Sequence, residues 1–257
     1  MSDDSKQVTR DPALSIYDPD PMLGKYISHH PSNRIRLMII GGLIYALPVG
    51  LLQIIFFNQD TDLVAIFLPV TFAAIAGGVL WWVLHHWNRE VVLYEKGFSY
   101  RQGSAIGYIR YANVVKMITN LEQIGFLGLS RKVFDYRLMT DIDETLIINN
   151  VYSNVDKLTR ALEAYVARDR LPIILGQLAD GQTVNFGENL QIHAEGLILN
   201  DKQLAWTDFS GQRVKDGQLM ILSDDTTWDT IDVTEIDNPV LLITILRNRG
   251  LSSQQTS

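Results

Sequence analysis

Residues 36–86 read RLMIIGGLIYALPVGLLQIIFFNQDTDLVAIFLPVTFAAIAGGVLWWVLHH, and this stretch decides the fold. Leu37 to Phe57 contains 21 residues without a charge, and Leu63 to Leu84 contains 22 more. Each run is long enough for a helix across a hydrocarbon core about 30 Å thick. Only residues 58–62 separate the two runs, so the second helix has to return antiparallel to the first. The sequence therefore predicts a transmembrane helical hairpin over residues 35–87.

The charges around this hairpin predict its orientation. The loop between the runs contains two aspartates and no base, whereas bases lie close to the other end of both helices, at Lys25, Arg34, Arg36, Arg89 and Lys96. Basic residues near membrane spans are retained in the cytoplasm. We therefore expect a two-pass protein of the inner membrane with both termini in the cytoplasm.

The composition of the two apolar runs favours an anchor over a transporter. No ionisable residue lies within them, although such residues are typical of ion and substrate pathways. Small residues allow membrane helices to pack closely. Two glycine pairs at similar depth are the candidates for helix packing, namely Gly41, Gly42, Gly77 and Gly78.

The two ends of the chain are polar. Residues 1–34 contain three Asp-Pro pairs and no apolar periodicity, which predicts a flexible cytoplasmic arm, and residues 251–257 are expected to form a disordered tail. The chain has a formal net charge of −7 and no cysteine. The absence of cysteine excludes disulfides, thiolate catalysis and cysteine-ligated metal centres.

After Trp87 the pattern changes to short strands. Runs rich in β-branched and aromatic residues alternate with Gly97, Gly103 and Gly107. A helix then follows, with Ser153 or Asn154 as its cap, apolar residues at helical spacing up to Val166 and Pro172 at its exit. The sequence predicts a first repeat over residues 88–170.

The same order of features returns in residues 171–250, which we interpret as a second repeat. The segment around Gly196 matches the one around Gly97, and Trp206 takes the place of Tyr111. A second helix follows, with Asp237 or Asn238 as its cap and Pro239 in its first turn. The common order predicts an internal duplication. We expect the repeated glycines and aromatic residues to serve turns and core packing.

A unit of antiparallel strands, as a sheet or barrel closed by one C-terminal helix, resembles the pleckstrin-homology-like (PH-like) fold. Two membrane helices followed by two such units resemble bacterial membrane proteins with duplicated PH-like domains of unknown function. This resemblance implies a membrane-anchored α+β protein with two tandem PH-like units. It also implies an envelope-associated binding or assembly module without a family active site.

Charge differs between the two repeats. Residues 89–170 contain twelve bases and ten acids, whereas residues 171–257 contain five bases and twelve acids. We expect the first repeat to face the anionic leaflet and the acidic second repeat to bind a protein partner, with nucleic acid excluded. The candidate lipid contacts are Arg101, Arg110, Arg131 and Lys132.

The sequence contains none of the catalytic motifs that we considered. Phosphate-binding loops, zinc-binding helices and serine nucleophile motifs are absent. Two histidine pairs, His29-His30 and His85-His86, could bind a metal or sense pH, but we favour interfacial polar residues. The acidic positions Asp141, Asp143, Glu144, Asp224 and Asp225 are interpreted as solvated turns rather than a cation site.

These patterns favour a noncatalytic membrane protein over an enzyme. We expect a scaffold or adaptor in a membrane complex that needs no cofactor and has the lipid bilayer as one partner. Homo-oligomers are compatible with the same patterns. The alternative is a lipid-sensing or envelope-stress module at the inner face of the membrane.

Overall fold

The chain folds into an α+β protein in which two long apolar helices lie near the N-terminus, as a computed structural model shows. The structure describes residue 16 and residues 22–56, 62–126 and 129–254. Side chains are described throughout these ranges except at residues 62–65, 119–134 and 250–254.

The two apolar helices form an antiparallel pair. Helix α1 spans Arg34–Phe56 and helix α2 spans Asp62–Trp87. The rings of Phe56 and Phe67 meet edge to face near the loop, with centroids 6.2 Å apart. Both helices are long and apolar enough to cross a membrane. In their most apolar stretches, 6% of α1 and 0% of α2 is buried. The predicted helical hairpin is confirmed in its helices and their order.

The helical hairpin is inserted between two paired strands. Strand β1 (Tyr26–Pro31) precedes α1, and strand β2 (Arg89–Tyr94) follows α2. These strands pair antiparallel, with His30 opposite Val91. Both ends of the helical hairpin therefore meet the same sheet.

We call the strands from β1 to β7 and the first half of the helix that follows them the first unit, which does not include the helical hairpin. Its strands form two antiparallel sheets, in the orders β1-β2-β3-β4 and β5-β6-β7. The remaining elements of the first unit are β3 (Gly97–Gln102), β4 (Ala105–Arg110), β5 (Val114–Phe126), β6 (Leu129–Thr140), β7 (Thr145–Asn149) and α3 (Val155–Ala179).

The second unit repeats this order of elements. Its sheets have the strand orders β11-β10-β9-β8 and β12-β13-β14, and helix α4 follows. Its elements are β8 (Val184–Asn185), β9 (Leu190–His193), β10 (Gly196–Leu199), β11 (Lys202–Ala205), β12 (Phe209–Lys215), β13 (Gln218–Ser223), β14 (Thr226–Asp232) and α4 (Pro239–Gln254). The four sheets stay separate, so the described strands form open sheets and not a closed barrel.

Helix α3 contributes to the hydrophobic cores of both units. Leu158 and Leu162 are buried in the first core, whereas Ile174 and Leu178 are buried in the second. The prediction that the helix ends at Pro172 was wrong, because apolar packing against the second core continues the helix to Ala179. Asn154 does occupy the N-cap position, but its side chain makes no capping hydrogen bond.

The predicted flexible arm over residues 1–34 needs correction where the structure describes it. Residues Tyr26–Pro31 form strand β1, and Leu23 is buried against the outer face of the first sheet. Ile16 is also buried there, and its carbonyl accepts hydrogen bonds from Tyr94 and Ser99. The sheet supplies partners that no local pattern within the segment reveals.

The predicted tail over residues 251–257 also needs a partial correction. Helix α4 continues to Gln254, so residues 251–254 are helical. Residues 255–257 lie outside the described residues.

Candidate functional site at the root of the helical hairpin

The ends of α1 and α2 are joined to the first unit by hydrogen bonds that we call the junction. Ser32 is 4% exposed and lies between the two helix ends. Its backbone N–H donates to the carbonyl of Arg89 at 2.7 Å, and its hydroxyl donates to the carbonyl of Trp87 at 2.6 Å. Ser32 thus holds the start of α1 beside the end of α2.

The loop between β7 and α3 supplies a second set of junction contacts. The backbone N–H of Asn33 donates to the carbonyl of Val151 at 2.7 Å, and a guanidinium nitrogen of Arg36 donates to the carbonyl of Asn150 at 3.0 Å. Asn33 also caps α1, since its side-chain oxygen accepts from the N–H of Arg36 at 3.0 Å. The helical hairpin therefore enters the first unit through ordered contacts rather than a flexible linker.

Glu90 is the acidic centre of the junction. One carboxylate oxygen lies 2.8 Å from Nε2 of His29, and the other lies 3.3 Å from Nε of Arg101. The Glu90 side chain is 17% exposed, so water screens these contacts less than it screens a surface ion pair. Arg101, predicted as a lipid contact, is engaged by this carboxylate.

An open pocket of about 450 Å³ lies beside this ion pair. Its polar and apolar lining includes His29, Ser32, Arg34, Ile35, Glu90 and Ser153. The Arg34 guanidinium carbon lies 5.3 Å from the centre of the Trp87 ring. Within the described part of the chain, Arg34 forms no ion pair. The pocket therefore contains a cationic group available to a ligand.

The remaining predicted lipid contacts are not gathered around this pocket. Arg110 is exposed and pairs with Gly97 in the β3–β4 register, whereas Arg101 pairs with Ile106. The two arginines are thus separated by four residues of β3, or about 13 Å along the strand. The backbones of Arg131 and Lys132 belong to β6, but their side chains lie outside the described part.

The predicted glycine pairs do not pack against each other. A Cβ atom on Gly41 would lie 2.7 Å from Val83 and 3.4 Å from Val79 of α2, so the helices approach closely at this residue. Nothing described lies within 4 Å of a Cβ placed on the other three glycines, Gly42, Gly77 and Gly78. At this close approach valine lies opposite glycine, which the equal depth of the two glycine pairs did not predict.

The histidine pairs have separate surroundings. His30 is 9% exposed, and burial lowers its pKa below the ordinary value, so its ring is neutral at neutral pH. His85 and His86 lie against Trp81 and Trp82, with ring centroids 5.6 and 4.9 Å apart. Among the described residues, no group of three or more metal-ligating side chains is found.

The acidic turns of the two units differ in their contacts. Asp143, Asp224 and Asp225 have positive φ angles of 57°, 48° and 61°, as turn residues. Glu144, by contrast, accepts a hydrogen bond from the hydroxyl of Tyr100, which is 5% exposed. This contact joins the two sheets of the first unit and was missed by the interpretation as a solvated turn.

The contact between the two units was also missed. The backbone N–H of Asn238 donates to the carbonyl of Met117 at 3.1 Å, and its side-chain amide donates to the carbonyl of Val115 at 2.7 Å. Beside it, the Lys116 ammonium lies 3.0 Å from the Asp237 carboxylate. The sequence predicted a helix cap at Asp237 or Asn238, and Asn238 does directly precede α4, where its carbonyl accepts from the N–H of Leu242. Its side-chain amide, however, binds strand β5.

The chain matches DUF6585, a family of unknown function, over residues 18–256. It belongs to this family. No curated protein sequence matches the chain. The DUF6585 match covers the helical hairpin, the junction and both units together.

Proposed function

We propose that this DUF6585 protein is a noncatalytic scaffold or adaptor of the inner membrane. The α1–α2 hairpin spans the bilayer, and two tandem PH-like units lie in the cytoplasm. The observation that carries this proposal is the junction, which builds both ends of an otherwise exposed apolar hairpin into one sheet. Such a joint holds the first unit in a defined position against the membrane.

Exposure of the helical hairpin supports membrane insertion. Its large apolar side chains face away from the rest of the chain, with Leu47 71% and Ile54 77% exposed. Apolar surface of this extent is unfavourable in water, whereas hydrocarbon covers it without cost. Pairing of β1 with β2 also argues against a cleaved signal sequence, because cleavage after α1 would remove β1 from its sheet.

The repeated element order supports the PH-like assignment. Each unit has a four-stranded and a three-stranded antiparallel sheet followed by a helix. Equivalent aromatic residues make equivalent backbone contacts. The backbone N–H of Tyr111 donates to the carbonyl of Lys96, and the backbone N–H of Trp206 donates to the carbonyl of Glu195. We infer that the units arose from one fold and that the acidic second unit binds the partner.

Membrane topology is tested by cysteine labelling, because the chain has no cysteine of its own. Gln59→Cys, between the helices, should react with an impermeant maleimide added to intact cells. Gln255→Cys, near the C-terminus, should react only after the membrane is opened. Labelling of both residues in intact cells, or release of the protein by alkaline carbonate, would contradict the proposed topology.

The adaptor role is tested by crosslinking the tagged full-length protein in cells, followed by quantitative mass spectrometry. A second-unit variant carries Asp201→Asn, Asp216→Asn and Asp224→Asn, because asparagine tolerates the positive φ at these turns. The expected result is a stoichiometric partner whose yield falls about tenfold in this variant. The control is the first-unit pair Asp143→Asn and Asp156→Asn, which should leave the yield unchanged. Self-crosslinks alone would refute the adaptor and favour homo-oligomerisation through the hairpin.

Lipid sensing at the inner face is the second candidate function. The pocket at the junction favours it, since Arg34 and the exposed start of α1 meet there.

A further inference from the structure

The junction carries an excess of positive charge. Residues 29–36 and 87–90, together with Arg101, contain four arginines and one carboxylate, Glu90. That carboxylate already lies 3.3 Å from Arg101, so it opposes an incoming anion only weakly. The local field therefore favours an anionic group.

Arg34 is the junction arginine best placed to bind such a group. It lines the pocket, is exposed and forms no ion pair within the described ranges. The ring of Trp87, 5.3 Å away, limits the positions that its guanidinium occupies. Guanidinium groups bind phosphate oxygens in pairs, and a partly fixed guanidinium loses less entropy on doing so.

The pocket continues onto an apolar surface. Ile35 lines its mouth and is 74% exposed, and Met38 and Ile39 follow on α1 with exposures of 62% and 59%. Gly42 comes one turn later, without a neighbour within 4 Å of its Cβ position. Positions i, i+3, i+4 and i+7 share one helix face. A ligand that fits both regions has a polar anionic head and an apolar chain.

We propose that the junction pocket binds the phosphate group of a membrane phospholipid. Arg34 is the phosphate ligand, and an acyl chain lies along the α1 face formed by Ile35, Met38, Ile39 and Gly42. The site lies where the proposed membrane-spanning hairpin leaves the bilayer, so this inference rests on the proposed function. A bound lipid would fix the depth and rotation of the first unit at the membrane surface.

The test measures lipid retained by the full-length protein in mild detergent, by native mass spectrometry during titration with phosphatidylglycerol. The wild-type protein should retain one lipid. Arg34→Gln should weaken binding by about tenfold, as expected for loss of a charge-assisted hydrogen bond. Arg34→Lys should restore part of the affinity. Arg213→Gln removes the same charge from an exposed site in the second unit and should bind as the wild-type protein does.

A second variant tests the pocket without changing charge. Ser153→Phe places a ring in the pocket and should also weaken binding about tenfold. Thermal unfolding confirms that each variant is folded. Equal lipid affinity in the wild-type protein, Arg34→Gln and Ser153→Phe would overturn the proposal. Competition by soluble glycerol phosphate as effective as by the lipid would assign the site to free phosphate and overturn the lipid assignment.

Alkaline carbonate extraction separates this inference from the proposed function. If every variant stays in the membrane but lipid retention does not depend on Arg34, only the lipid site is refuted. If the wild-type protein is released, membrane anchoring is refuted as well.

Discussion

Gly97 and Gly196 occupy equivalent positions at the start of the third strand of each four-stranded sheet. A Cβ atom on Gly97 would meet the carbonyl oxygen of Ile109 and lie 3.0 Å from Cα of Arg110. A Cβ atom on Gly196 would meet the carbonyl oxygen of Leu204 and lie 3.0 Å from Cα of Ala205. The opposing contact is backbone in both units, which cannot move aside as a flexible side chain can.

Gly97→Ala and Gly196→Ala should each therefore destabilise the protein by about 1–3 kcal/mol, the usual range for overpacking. Gly176→Ala provides the control, because Gly176 lies in α3 with open space around it. The control should gain about 0.5–1 kcal/mol, since alanine loses less backbone entropy in a helix. Thermal unfolding of the purified protein measures all three. Unchanged stability in both strand variants would contradict the close approach.

Helix α3 is the element that links the two units. It spans 25 residues, and its two halves pack into different cores. Pro172 lacks a backbone N–H and so removes one helical hydrogen bond, which costs about 3 kcal/mol in a helix interior. Burial of Leu178 and Ile174, each 2% exposed, offsets part of this cost.

Substitutions in α3 should therefore affect one core at a time. Ile174→Ala should destabilise the second unit by about 2–5 kcal/mol, and Leu162→Ala should do the same in the first. Hydrogen exchange measures this, through faster exchange of β9 and β10 amides in Ile174→Ala and of β2 and β3 amides in Leu162→Ala. Leu175→Ala is the control, because Leu175 is 40% exposed. Equal loss of protection in both units from either substitution would show that the cores unfold together.

At the scale of the whole molecule, a short segment of the second unit docks onto β5 of the first. The buried Asn238 makes two hydrogen bonds to β5, and it does so with a positive φ of 57°. Lys116 and Asp237 pair beside it but are 37% and 22% exposed. Exposed ion pairs contribute little, so of these two contacts Asn238 is expected to contribute more to joining the units.

Asn238→Gly should weaken this contact while leaving the backbone unstrained, since glycine adopts positive φ readily. We expect a loss of about 1–2 kcal/mol from the missing side-chain hydrogen bond. Hydrogen exchange at the Asn238 amide, which donates to the carbonyl of Met117 across this contact, should become faster. Asp237→Asn serves as the matched control and should change exchange little. If Asp237→Asn speeds exchange as much as Asn238→Gly does, the ion pair contributes as much as the Asn238 amide, which would contradict this ranking.

Local signals in the sequence were sufficient for the helical hairpin and for most strands. A run of some twenty apolar residues specifies a long helix without reference to the rest of the chain. Glycines at 97 and 196, with aromatic residues at 111 and 206, predicted the repeated hairpins and turns. The candidate site was predicted less well. Arg101 was named and lies in the junction, but Ser32, Arg34 and Glu90 were not singled out as members of a site.

The sequence by itself determined the two apolar helices, their antiparallel order and the repeated strand pattern, since each depends on residues close together in the chain. Only the tertiary structure decided that β1 pairs with β2 across the helical hairpin and that α3 continues past Pro172. It also decided that Asn238 binds β5, 123 residues away in sequence. These features depend on distant surfaces that meet on folding, and the energy of such contacts overrides local preference.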